Sequence, residues 1–247
     1  MRTVVVEQMK IGRLSVTSAV YQPFSTKEIK MLIAKAETST SSFTPVPAGM
    51  HLARCYRIID TGTQRTEYQG KEKWSRKIMV QFEVHSEDVD GTPLVTEKGE
   101  PMSISKNFTA SLAEKAVLRQ ELENWRSRAF TADELNGFQL KNVLGAWAML
   151  SIVKEKGNDG NEYTNISSIN PVSSQIKKAG LPEPHNELKI FDLEDPDMVM
   201  FETFGNKLKE KIQGTPEWQE RQGGNKFTKP APEASSGFDD MDSDIPF

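Results

Sequence analysis

A mainly β domain with one helix set between its third and fourth strands is the fold class predicted by this 247-residue sequence. Residues 73–85 alternate cleanly between apolar and polar side chains, the mark of a strand with one face in a core. Glycine-bearing turn signals stand at Asp90-Gly91, Asn136-Gly137 and Gly157-Asn-Asp-Gly160. Between the first two of these lies a single apolar stripe at helical spacing.

The elements follow in order. Residues 50–59 form the first strand. In the second, Trp74, Arg76, Ile78, Val80, Phe82 and Val84 share one face, and Lys73, Ser75, Lys77, Met79, Gln81 and Glu83 the other. A third strand is expected at about residues 102–109. Leu112, Ala116, Leu118, Leu122 and Trp125 then recur at the spacing of an amphipathic helix over residues 112–125. Strands at residues 146–154 and 162–169 are joined through the Gly157-Asn-Asp-Gly160 hairpin signal. Three strands, a helix and two strands are the order of an OB-fold, a five-stranded barrel with a helix between strands three and four. Strand counting alone leaves other small barrels open.

The flanks differ in character. Residues 1–44 read as an N-terminal extension: a strand-like start, a turn at Pro23, and a helix announced by the capping box Ser25-x-x-Glu28 ahead of Ile29, Leu32, Ile33 and Ala36. Ser and Thr crowd residues 38–44 as a linker, and the barrel domain is assigned to residues 45–175. Residues 176–218 form a helical segment packing on the barrel. Within it, residues 197–212 predict one amphipathic helix with Met198, Phe201, Phe204, Leu208 and Ile212 inward and Lys207, Lys209 and Lys211 outward. Residues 219–247, rich in Gln, Gly, Lys, Pro, Ala and Ser, predict a disordered acidic tail, because such a composition buries too little apolar surface to offset its ordering entropy.

The charge needs placing before it is used. Lys plus Arg total 31 and Asp plus Glu 35, a net −4 that taken alone argues against a nucleic-acid binder. Residues 214–247 hold three basic and seven acidic residues, so this C-terminal stretch carries the whole imbalance and residues 1–213 are neutral. One cysteine excludes a disulfide scaffold, and Cys55 in an apolar strand reads as a small buried residue. The longest apolar run, residues 143–150, is eight residues, whereas a membrane-spanning helix needs about 20. No membrane partner is expected, and without a secretory signal pattern the expected compartment is the cytoplasm.

Enzyme signatures fail in turn. His51, His85 and His185 stand in no metal-ligand spacing, and a charged turn ending in Asp90-Gly91 explains His85, Glu87, Asp88 and Asp90 more simply than a nuclease metal site does. P-loop, nucleophile-elbow and dinucleotide motifs are absent. No catalytic residue, metal or cofactor is assigned.

One segment has the composition of a single-strand binder, which needs cations for phosphates and aromatic faces for bases. Residues 54–77 hold seven basic residues, Arg54, Arg57, Arg65, Lys71, Lys73, Arg76 and Lys77, against Asp60, Glu67 and Glu72. Tyr56, Tyr68 and Trp74 are interleaved with them, though Trp74 fits a core position equally well. The candidate DNA contacts are Arg54, Tyr56, Arg57, Tyr68, Lys71, Lys73, Trp74, Arg76 and Lys77, with Lys106 and Phe108 on the third strand and Tyr163 on the fifth.

The chain ends Asp239-Asp-Met-Asp-Ser-Asp-Ile-Pro-Phe247. A tail that stays solvated gains nothing from terminal apolar residues unless a partner binds them, and a Phe ring beside a carboxylate suits an apolar pocket rimmed by Arg or Lys. Asp239, Asp240, Asp242, Asp244, Ile245, Pro246 and Phe247 are therefore the candidate partner-binding residues. This ending resembles the acidic tip of bacterial single-stranded-DNA-binding proteins. That resemblance implies recruitment of replication, recombination or repair proteins.

The body is similar to phage-type OB-fold proteins that bind single-stranded DNA. The similarity is carried by Pro47-Ala-Gly-Met-His-Leu-Ala-Arg-Cys-Tyr-Arg-Ile-Ile-Asp-Thr-Gly-Thr-Gln64, by Phe108-Thr-Ala-Ser-Leu-Ala-Glu-Lys-Ala-Val-Leu-Arg119, by Trp125-Arg-Ser-Arg-Ala-Phe-Thr131 and by Tyr163-Thr-Asn-Ile-Ser-Ser-Ile169. It implies sequence-independent coating of single strands in phage DNA replication or recombination, while residues 1–44 depart from the family pattern. The alternative is a non-DNA adaptor whose tip captures host replication and repair proteins. The sequence leaves the oligomeric state open, a homo-oligomer included.

Overall fold

The structure, a computed structural model, describes residues 5–11, 14–20, 44–68, 71–157 and 160–224. The chain divides into two compact units, residues 1–42 and 43–247. In the first, β1 (Val5–Ile11) and β2 (Leu14–Val20) form an antiparallel hairpin whose register runs from Val5 opposite Val20 to Ile11 opposite Leu14. The expected turn at Pro23, the capping-box helix and residues 38–43 of the linker lie outside the described residues. So does the tail from residue 225, including the Ile245-Pro246-Phe247 tip.

The second unit is mainly β. Its strands are β3 (Gly49–Tyr68), β4 (Lys71–Val84), β5 (Ser103–Thr109), β6 (Trp147–Lys156), β7 (Glu162–Asn170) and the short β8 (Lys189–Phe191). They form one sheet in the order β5-β4-β3-β6-β7, antiparallel throughout, with β8 added parallel to β3 where β6 has ended. Among the described residues no backbone pairing joins β5 to β7, so the ladder is open.

The alternation in β4 is realised, with Ile78, Val80, Phe82 and Val84 all buried. These join Ala53, Cys55, Phe108, Leu150, Ile166 and Ile169 from the other strands, and α1 (Val117–Arg126) covers them with Leu118, Leu122 and Trp125. The helix starts later than its apolar spacing predicts. The Ser111 hydroxyl accepts the Ala113 N–H at 3.2 Å, and this local turn competes with a helical start at residue 112. A further short helix, α2 (Ala132–Asn136), carries a capping box between Thr131 and Glu134.

A second apolar cluster lies on the outer face of the sheet. Ile59 and Met79, which pair across β3 and β4, support Phe191, Leu193, Met200, Phe201, Phe204, Ile212 and Trp218. The helix expected over residues 197–212 is two helices, α4 (Met198–Glu202) and α5 (Asn206–Gln213), with Gly205 as the N-cap of the second and Met198 exposed. Breaking at Thr203–Gly205 re-aims the chain so that Phe201 and Phe204 both reach Phe191, with ring centroids 5.8 Å and 5.1 Å away. α6 (Pro216–Arg221), capped by Thr215 with proline at its first position, stacks Trp218 on Phe201 at 4.5 Å. Between β7 and β8 lies α3 (Ser174–Ala179).

Candidate nucleic-acid interface

β3 runs nine residues beyond the first strand read from sequence, because residues 60–68 are polar on both faces and carry no period, whereas β4 begins only two residues before the second. Beyond Gly62 and Lys77 the two strands pair with each other alone within the sheet, out to Tyr68 opposite Lys71. At about 3.3 Å per residue this ribbon reaches about 20 Å past the end of β5. Here an added residue, Thr61, sits between the Asp60–Ile78 and Gly62–Lys77 pairs, a bulge that re-aims the ribbon.

The base of the ribbon is fixed to the C-terminal helices. Gly62 has φ +74°, and a Cβ there would meet Thr215 and Leu193 at 2.7 and 2.8 Å, so only glycine lets α6 come this close. Glu217 accepts both the backbone N–H of Thr63, at 3.0 Å, and its hydroxyl. Gln64 Nε2 donates to the Lys211 carbonyl of α5 at 3.3 Å.

The predicted contacts separate into three groups. Lys73 and Trp74 stand on the ribbon: Lys73 is exposed, and Trp74 is half-buried and outside both apolar clusters. Arg65, which is not among the predicted contacts, is exposed opposite Trp74 and paired with Glu72. Lys77, at the ribbon's root, donates to Thr109 Oγ1 at 2.6 Å. Tyr68 and Lys71 are placed opposite each other by register, and their side chains lie outside the described residues. Tyr163 is exposed near the start of β7, opposite Glu155.

A second group is committed to other partners. Arg76 donates Nε to Asp60 Oδ2 at 3.0 Å with Asp192 and Glu194 at 3.9 and 3.6 Å, so three carboxylates already surround it. Lys106 donates to Glu121 Oε1 at 2.6 Å and reaches the Ser167 carbonyl at 3.3 Å. Arg57 packs over the Tyr56 ring at 5.1 Å and donates to its hydroxyl at 3.0 Å.

The third group is buried, and for these residues the expectation of DNA contact is corrected to a structural role. Phe108 is 1% exposed in the main core, and Tyr56 is buried. Arg54 is buried against the fully enclosed Glu83, with Nη1 to Oε1 at 2.9 Å and a further bond to the Asn186 carbonyl. Burial alone would raise the Glu83 pKa, but hydrogen bonds from Arg54, from the backbone and side chain of Asn186 and from His85 hold it down at about 2. Cys55 is fully buried and its thiol is pushed up to about 12 by that burial, with Arg54 opposing.

Asp88, which a nuclease metal site in this turn would require as a ligand, uses Oδ1 to cap the N–H groups of Asp90 and Thr92, both at 2.9 Å. Among the described residues no group of three or more His, Cys, Asp or Glu is arranged to hold a metal, and no helix is long and apolar enough to cross a membrane. The geometry presents a projecting two-stranded ribbon that carries cations and the half-buried indole of Trp74. No family model matches the chain, and no curated protein matches it.

Proposed function

We propose that this protein binds single-stranded DNA without sequence preference, in phage replication or recombination, and that its acidic tip recruits replication, recombination or repair proteins. The observation that carries the reading is the projecting β3–β4 ribbon with Lys73 and Trp74 clear of both cores. Cations along a ribbon can follow a phosphate backbone, and an indole stacks on any base, so such a surface coats rather than reads. The strand order β5-β4-β3-β6-β7, with α1 between β5 and β6, supports assigning the open sheet to a five-stranded OB-type barrel whose last seam is β5 to β7. Coating fits the absence of enzyme motifs in the sequence, and the tip fits a role in recruitment.

The test is a fluorescence-anisotropy titration of the full chain with oligo-dT and with duplex DNA at several salt concentrations. Preferential binding of oligo-dT, weakened in Lys73→Ala and Trp74→Ala, is the expected result. No binding, or equal affinity for duplex, overturns the reading and leaves the adaptor function. For the tip, deletion of residues 239–247 is expected to abolish recruitment of a replication or repair partner while the oligo-dT complex persists.

A further inference from the structure

Period-two alternation sorts the ribbon's charges by face. Lys73, Ser75 and Lys77 share a face with Met79, whereas Glu72, Trp74 and Arg76, with their register partners Glu67, Arg65 and Thr63, occupy the other. The ribbon's two carboxylates, Glu67 and Glu72, therefore lie away from Lys73 and Lys77. Arg76 on that second face is already held by Asp60, which leaves the lysine face as the more electropositive of the two.

α5 is seated on this same lysine face. Met79 packs against the cluster that contains Ile212, Ser75 is 9% exposed, and Gln64 holds the Lys211 carbonyl. With Ile212 buried and Leu208 partly buried, the helix turns Lys207 and Lys211 to solvent one turn apart, while Lys209 is tied to Glu202 at 2.5 Å. Glu210 is the one acidic residue of α5.

Resting on the single-strand-binding reading, we infer that α5 is part of the same nucleic-acid surface. Lys207 and Lys211 continue the cationic track of Lys73 and Lys77, so a strand that runs along the ribbon passes onto the C-terminal helix. The helix thereby does two things: its apolar stripe holds the ribbon's base in place, and its exposed stripe lengthens the site. The ligand chemistry is the phosphodiester backbone, with no contribution to base preference.

The experiment compares Lys207→Gln/Lys211→Gln with Lys73→Ala and with Lys177→Gln/Lys178→Gln in the full chain, by oligo-dT anisotropy from low to moderate salt. The last pair removes the same charge from α3. That helix follows β7, which ends at Asn170 opposite Met149 and so lies toward the far end of β3 from the ribbon. The α5 pair is expected to weaken binding by roughly 3- to 10-fold at low salt. It should also flatten the dependence of log affinity on log salt by about 1.4, since each phosphate of a single strand that is no longer neutralised removes about 0.7 from the slope. The α3 pair is expected to leave both unchanged. If the α5 pair binds like the parent while Lys73→Ala is weakened, the inference is wrong and the ribbon reading stands. Equal losses in the α5 and α3 pairs also overturn it, since net charge alone then accounts for the effect. If the parent itself does not bind oligo-dT, both readings fall together.

Discussion

Glu121 and Lys106 join the two edges of the sheet that no backbone ladder connects. Lys106 of β5 donates to Glu121 Oε1 at 2.6 Å, and the other carboxylate oxygen accepts the Ile169 N–H of β7 at 2.8 Å. A single side chain on α1 thus supplies what a strand pair would otherwise supply, and both partners are largely enclosed, with side chains 15% and 11% exposed. Glu121→Ala is expected to cost about 2 to 4 kcal/mol, because it removes the counter-ion of a largely enclosed ammonium, which keeps only the Ser167 carbonyl, and leaves the buried Ile169 N–H without its carboxylate acceptor. Lys106→Met should cost less, since Glu121 keeps its bond to Ile169. Urea unfolding of the two variants checks the order. Equal and small losses would show that the seam is held by apolar packing instead.

How much of this was legible in sequence depends on the range of the interaction. The face of Phe108 was readable: it alternates with Ile104 on a strand whose other residues are polar, so its place in the core follows from period two. Lys106 shares that face, and nothing local says that Glu121 stands ready to receive it. The burial of Arg54 depends on Glu83 and on the Asn186 carbonyl, which lies 132 residues later, so a single strand's pattern gives no sign of it. The β3 half of the projecting ribbon was invisible for the opposite reason. Residues 62–68 are held by backbone pairing, with no apolar face to generate a period.

The close approach at Gly62 predicts a large effect from one methyl group. Gly62→Ala places a Cβ within 3 Å of both Thr215 and Leu193 on a backbone at φ +74°, combining strain with overpacking. A loss of about 2 to 4 kcal/mol is expected in thermal or urea unfolding. Gly99→Ala provides the comparison, since Gly99 also has positive φ, +79°, but no atom within 4 Å of the added methyl. Its cost should stay near 1 to 2 kcal/mol, the backbone contribution alone.

Cys55 should report global unfolding. A fully buried thiol pushed up to about 12 has almost no thiolate at pH 8, so a disulfide reagent such as DTNB is expected to leave the native protein unmodified. Modification should then proceed only as fast as the main core opens, and reach one thiol per chain in urea. Rapid labelling without denaturant would mean that β3 opens locally beside Arg54.

The buried Arg54–Glu83 pair gives stability a defined pH dependence. Glu83 falls from an ordinary value of 4.5 to about 2 in the folded protein, so the folded state binds the proton less tightly than the unfolded chain does. Its contribution is fully present above the unfolded value and is lost as pH drops from about 5 toward 2, by about 1 to 3 kcal/mol in total. The same carboxylate accepts the Asn186 backbone and side-chain N–H groups, each at 2.7 Å, and so holds the segment that leads into β8. Acid should therefore loosen residues 183–188 before the main core. Hydrogen exchange between pH 5 and pH 3 is expected to show protection lost at Asn186 while β4 retains its own. Glu83→Gln should lower stability at pH 7 by several kcal/mol, since it leaves Arg54 buried without its counter-ion, and should flatten this part of the pH profile. A variant that loses stability yet keeps the full acid slope would assign that slope to other carboxylates.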